Sequence, residues 1–206
     1  GISESDDQQV TVLAHSIGGL VARWFVEKEG GNSMVDRLIL IGTPNKGSGF
    51  GKIDSIRNFA TTLLELAVNF SPIQIPGSAY LVKYLQKTGE MTKTLGQISP
   101  TSDFLKKLNS APDPHIPYTM IGGDVSNYEV QGGGFQRMVA NTRKKLVTWV
   151  NQDETHDFFV GTRSTLHEDV WEDRIPKPIR VAPISCHHMN YLESEAGWEA
   201  LNEVLK

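Results

Sequence analysis

Apolar positions along the chain alternate between two rhythms. "QVTVLAH" is a short apolar run bounded by polar residues and reads as a buried strand. From Ile17 to Glu29 the pattern changes: Leu20, Val21, Trp24 and Phe25 recur at helical spacing and predict one apolar helix face, with Gly30-Gly31 as the stop. "DRLILIG" (Asp36 to Gly42) is a second buried strand, running into the loop "TPNKGSGFG". Strand, helix, strand in this order is a βαβ unit, which implies parallel pairing with helices on the sheet faces.

The stretch from Lys52 to Asn109 carries no strand pattern. Ile53, Ile56, Phe59, Leu63, Leu64, Ala67 and Val68 are spaced as an amphipathic helix, "SPIQIPGS" breaks it, and "AYLVKYLQK" and "SDFLKKLNS" read as further helices. Strand character returns in "IPYTMIGGD" (Ile116 to Asp124). After Gly132 to Gly134, Phe135, Met138, Val139, Leu146, Val147 and Val150 mark another helix. "PIRVAPIS" (Pro178 to Ser185) is a last strand, and "SEAGWEALNEVLK" closes the chain as an amphipathic helix. The expectation is an α/β fold: a mostly parallel sheet, helices on both faces and a cap-like helical insertion at 52–110, in one domain over residues 1–206.

Composition narrows the chemistry. The 206 residues suffice for one domain with a real core. With 39% hydrophobic and 21% charged residues they read as globular. The net charge of -4, without a long basic run, gives no support to a nucleic-acid partner. A single cysteine, Cys186, excludes an intrachain disulfide framework and a multi-cysteine zinc site, and it fits a reducing compartment such as the cytoplasm. Lys46 with its glycines does not match a phosphate loop, and Gly132 to Gly134 lack the spacing of a dinucleotide fingerprint. No cofactor and no metal are expected. Arg143, Lys144 and Lys145 read as a solvated helix face, and Cys186 as a buried thiol rather than half of a Cys-His pair.

The chemistry concentrates where the first strand meets the first helix. At "AHSIG" the chain must turn with no spare residues. A nucleophile elbow does this by holding its serine in a strained conformation, with small residues two positions to either side. Ala14 and Gly18 meet that demand, and Gly19 gives more room. The Ile17 N–H, at the helix start, is then placed to stabilise an oxyanion. The competing reading makes Ser16 an ordinary helix N-cap.

"AHSIGGLVARWF" resembles the nucleophile segment of the α/β-hydrolase superfamily, and within it lipases and related esterases. "LILIGTPNKGS" resembles the strand and loop that follow, although Ala14 departs from the glycine of G-x-S-x-G. The resemblance implies a Ser, Asp, His order. It implies His188 as the base, because "HMNYL" is similar to the family's His-x-x-aromatic-Leu pattern, with His187 in reserve. Asp157 in "HDFFVGTRS" is similar to the family's Asp-x-x-Val-x-x-x-Ser segment and is the implied acid. Asp124, at a strand end, is the main rival and Asp153 a weaker one. His15 is expected to point away from the serine, His115 to lie at the surface before a strand, and His156 and His167 to lie in loops.

The resemblance also places about half of a sheet before the serine, together with a second oxyanion N–H. With Ser16 so early, the expectation is the C-terminal part of a larger domain, completed by an upstream segment or a second chain. The first strand would then show an unpaired edge. The implied activity is hydrolysis of carboxylic esters through an acyl-enzyme, acting on an apolar acyl substrate. Ile53, Phe59, Leu63, Phe70, Ile73 and Ile75 either line its pocket or pack as core. Membrane-surface contact through an open lid is compatible with this. The alternative is a non-catalytic hydrolase-like regulatory or interaction module.

Overall fold

The computed structural model describes residues 9–48, 96–126, 155–167 and 171–206. The helices expected between 53 and 87, those after Gly132, and Asp153 fall outside these residues, as do the pocket candidates from Ile53 to Ile75 and the Arg143–Lys145 face.

Four strands form one parallel sheet in sequence order: β1 (Val10–His15), β2 (Val35–Ile41), β3 (Tyr118–Gly123) and β4 (Ile179–Ile184). Each lies within a residue or two of the stretch its sequence predicted. Ala14 pairs with Leu40 and His15 with Ile41, and Ile41 pairs in turn with Ile121. The uninterrupted apolar run of β2 has a physical reason: both of its faces are covered. Leu38 and Leu40 share one core with Met120 and Val26, whereas Ile39 and Ile41 share another with Ile121, Tyr191, Ala200 and Leu201. Among the described residues β1 pairs only with β2.

Helix α1 (Ile17–Lys28) covers the first face and α4 (Glu195–Val204) the second. Gly30, at φ 76°, takes the left-handed conformation that ends α1. The short helix α2 (Asp103–Asn109) starts on the Ser102 hydroxyl, which accepts from the Leu105 amide at 3.2 Å. The four-residue helix α3 (Thr162–Thr165) is too short to leave a periodic signal.

The buried face of α1 is not the whole of its apolar pattern. Leu20 is buried, but Val21 is 64% exposed and Phe25 40% exposed. The core side instead carries Gly19, Leu20, Arg23, Val26 and Glu27. A buried guanidinium and carboxylate are tolerated because both are paired. Arg23 donates to Glu27 at 2.9 Å and to Asn45 and Asn109. Glu27 also accepts from Arg174 at 2.9 Å and from the Tyr118 hydroxyl at 3.1 Å. Trp171 lies against both guanidinium groups. Apolar spacing alone cannot reveal a polar cluster assembled from α1, β3 and the segment at 171–174.

Candidate active site

β1 delivers the chain to Ser16, and α1 begins at the next residue. Ser16 adopts φ 56°, ψ -133°, outside the regions L-residues favour. Its amide donates to the Ile41 carbonyl at 2.9 Å, fixing the turn to the end of β2. Its hydroxyl makes no cap bond to α1. It meets His188 Nε2 at 2.8 Å instead, so the N-cap reading does not hold.

The room for this turn lies elsewhere than expected. A Cβ at Gly18 would touch nothing within 4 Å, whereas one at Gly19 would run into the Thr43 side chain, 2.6 Å from Cγ2. Gly19 rather than Gly18 is the close-approach position, because that side of the helix faces the loop after β2.

On the other side of His188, Nδ1 lies 2.6 Å from Asp157 Oδ2. Asp157 and His188 are both buried. Oδ1 accepts from the amides of Phe159 at 3.0 Å and Val160 at 2.8 Å. Burial pushes the Asp157 carboxyl up. The charge and hydrogen bond of His188, with those two amides, outweigh it and hold the carboxyl below its usual range. An ionised Oδ2 only accepts, so Nδ1 carries the proton and Nε2 presents its lone pair to Ser16.

The loop after β2 holds the acid in place. Asn45 Nδ2 donates to the Thr165 carbonyl at 2.7 Å, and the Ser48 hydroxyl donates to the Phe159 carbonyl at 2.9 Å. Ser164 Oγ accepts from the Lys46 amide and donates to the Gly47 carbonyl. The "GTPNKGS" run thus braces the segment that carries Asp157.

The remaining candidates stand apart from this relay. Asp124 caps its own turn, accepting from the Ser126 amide at 2.8 Å and its hydroxyl at 2.6 Å. The His187 amide donates to Asn190 Oδ1, and its Nδ1 accepts from the Met189 amide. Burial pushes His187 down to about 4. His115 is exposed beside Asp113. His156 and His167, expected in loops, are buried, and Cys186 is a buried free thiol.

His15 packs against His188. Its ring lies 4.8 Å from the His188 ring, and its Nε2 sits 2.8 Å from the His188 carbonyl oxygen. Burial, followed by the His188 charge, lowers it to about 4, so the bond is an N–H donated by a neutral ring. It braces the backbone of His188. Tyr191, the aromatic of "HMNYL", donates its hydroxyl to Asp157 Oδ2 at 2.9 Å. The pattern marks the tyrosine but not its partner, a carboxylate 34 positions away. Among the described residues no cluster of three or more His, Cys, Asp or Glu side chains is placed to hold a metal ion.

A family model described as a domain of unknown function, DUF7379, matches residues 1–206. The chain belongs to this family. No curated protein matches the sequence of this DUF7379 domain. Among solved structures it is similar to lipase 1 from Pelosinus fermentans, with a TM-score of 0.65 and 14% identity over 96% of this chain and 71% of that one. It is also similar to EstA from Clostridium botulinum, with a TM-score of 0.62 and 11% identity over 92% and 61%. The propeptide form of the Bacillus licheniformis lipase BlEst2 matches with a TM-score of 0.54 and 16% identity over 96% and 36%. The DUF7379 chain spans between 36% and 71% of the length of these three structures. The likeness establishes an α/β-hydrolase fold.

Proposed function

We propose that this chain is a serine hydrolase that cleaves carboxylic esters. The observation that carries the reading is the unbroken run from Ser16 Oγ through His188 to Asp157, at 2.8 and 2.6 Å, with Ser16 on a strained strand-to-helix turn. A serine hydroxyl is a poor nucleophile until a base takes its proton. On this reading Ser16 attacks the ester carbonyl while His188 Nε2 accepts its proton. Asp157 holds the imidazole tautomer and stabilises the imidazolium. His188 returns the proton to the leaving alcohol, and the acyl group stays on Ser16. Water, deprotonated by His188, then releases the acid.

The Ile17 amide supports the reading, since amides in the first turn of a helix have no carbonyl one turn behind them. An apolar acyl group is supported by a groove of about 330 Å³ that runs along α1 from Ile17. It is walled by Leu20, Trp24, Phe25, Ile98 and Phe104.

A fluorophosphonate probe tests the reading. Labelling of the folded protein at Ser16, abolished by Ser16→Ala, is expected. A folded wild type that the probe does not label at Ser16 would refute it and favour a non-catalytic module.

A further inference from the structure

Two strands of the sheet end in glycine at the same place. Gly42 follows β2 with φ +54°, and a Cβ there would stand 2.9 Å from Tyr191 Cε2, 3.1 Å from Asp157 Oδ2 and 3.2 Å from His188 Nδ1. Gly123 ends β3, and a Cβ there would stand 2.8 Å from the Tyr191 hydroxyl and 3.0 Å from Asp157 Cβ. The two glycines make room for three side chains that converge on one oxygen. Asp157 Oδ2 receives His188 Nδ1–H at 2.6 Å and the Tyr191 O–H at 2.9 Å. Oδ1 is occupied by two amides, so the carboxylate has a donor on every side.

We infer that Tyr191 is a positioning residue: its hydroxyl pins Asp157 Oδ2 and shares the charge that Oδ2 offers to His188. Two donors on one acceptor oxygen compete for its electron density, so strengthening one weakens the other. Tyr191 is suited to this because it remains a phenol. Burial raises it well above its ordinary range, and the Asp157 and Cys186 charges push the same way. Other groups bear on His188 as well. His15 of β1 lies beside its ring, His187 precedes it in the chain, and Ser16 faces Nε2. Tyr191 alone among these side chains shares Oδ2 with it.

The test has a spectroscopic arm that stands by itself and a kinetic arm that rests on the proposed hydrolase activity. The low-field proton of the Asp157–His188 hydrogen bond is followed by NMR in the wild type, in Tyr191→Phe, and with a fluorinated, more acidic tyrosine at 191. Removing the hydroxyl is expected to move the resonance downfield, as His188 takes the whole of Oδ2. The fluorinated phenol, a stronger donor, is expected to move it upfield without altering the fold. Displacements of opposite sign support the inference. An unchanged resonance in both, or displacements in the same direction, would overturn it.

In the kinetic arm, Tyr191→Phe is expected to lower kcat about fivefold with KM unchanged. A loss of thermal stability with kcat intact would leave Tyr191 a structural residue and overturn the inference. Failure of the hydrolase reading appears separately, as an unlabelled Ser16 in a wild type that still shows the low-field proton.

Discussion

The backbone at Ser16 costs about 1–3 kcal/mol for a residue with a side chain. The anchor to Ile41 and the packing of the turn hold it there. Around it, individual glycines divide into those that matter and those that do not. Gly19→Ala drives a methyl group into Thr43 and is expected to lower stability by about 1–3 kcal/mol. Gly18→Ala, facing open space, is expected to change it by less than about 1 kcal/mol. Urea unfolding of the two variants checks this, and equal losses would contradict the assignment of the close contact. Sequence located the turn and named Ser16, Asp157 and His188 through a motif and its order. It did not give the contacts of His15 and Tyr191, because these are made to a carbonyl and a carboxylate far away in the chain, and no local pattern encodes such partners.

At the level of elements, the strands were legible to within a residue or two. Their apolar runs are long and their ends carry Gly or polar residues, so periodicity and punctuation agree. Helix α1 was legible as a helix but not in its orientation. Its spacing marked one apolar face but not which face meets the sheet, and there the buried ion pair of Arg23 and Glu27 faces the core while Val21 and Phe25 are exposed. That cluster supplies a further expectation. Glu27→Ala leaves two buried guanidinium groups facing each other without their carboxylate, and this type of loss costs about 3–5 kcal/mol. A denaturant midpoint close to the wild-type value would show that the cluster is not held as described. Replacing Glu27 while retaining Ser16 also separates damage to the helix from damage to the chemistry.

Across the described residues, two buried histidines and the partly buried His15 tie stability to pH. Burial lowers His15 and His187 to about 4 and His167 to about 2, the last with help from Arg23, Lys46 and Arg174. In the unfolded chain each titrates at about 6.5. Between these values the unfolded state binds more protons, so stability rises with pH. The contribution is fully present above about 6.5 and is lost as pH falls towards 4, on the order of 1 kcal/mol per pH unit for each histidine. His167 extends the loss below that. Urea midpoints at pH 7.5 and 5 check the sign: the lower pH should give the earlier transition, and equal midpoints would refute it.

Ser16 and His188 are 172 positions apart, yet their side chains meet at 2.8 Å. Every crossover of the parallel sheet must be in place before they do. Contacts of such separation form late and slowly during folding. The expected order for a refolding chain is helices, then sheet, and only then the meeting of Ser16 and His188. On the proposed hydrolase reading, covalent trapping at Ser16 would then be a clock for the last step of folding. A lag between recovery of circular dichroism and recovery of labelling would measure the time the chain spends nearly native but chemically silent.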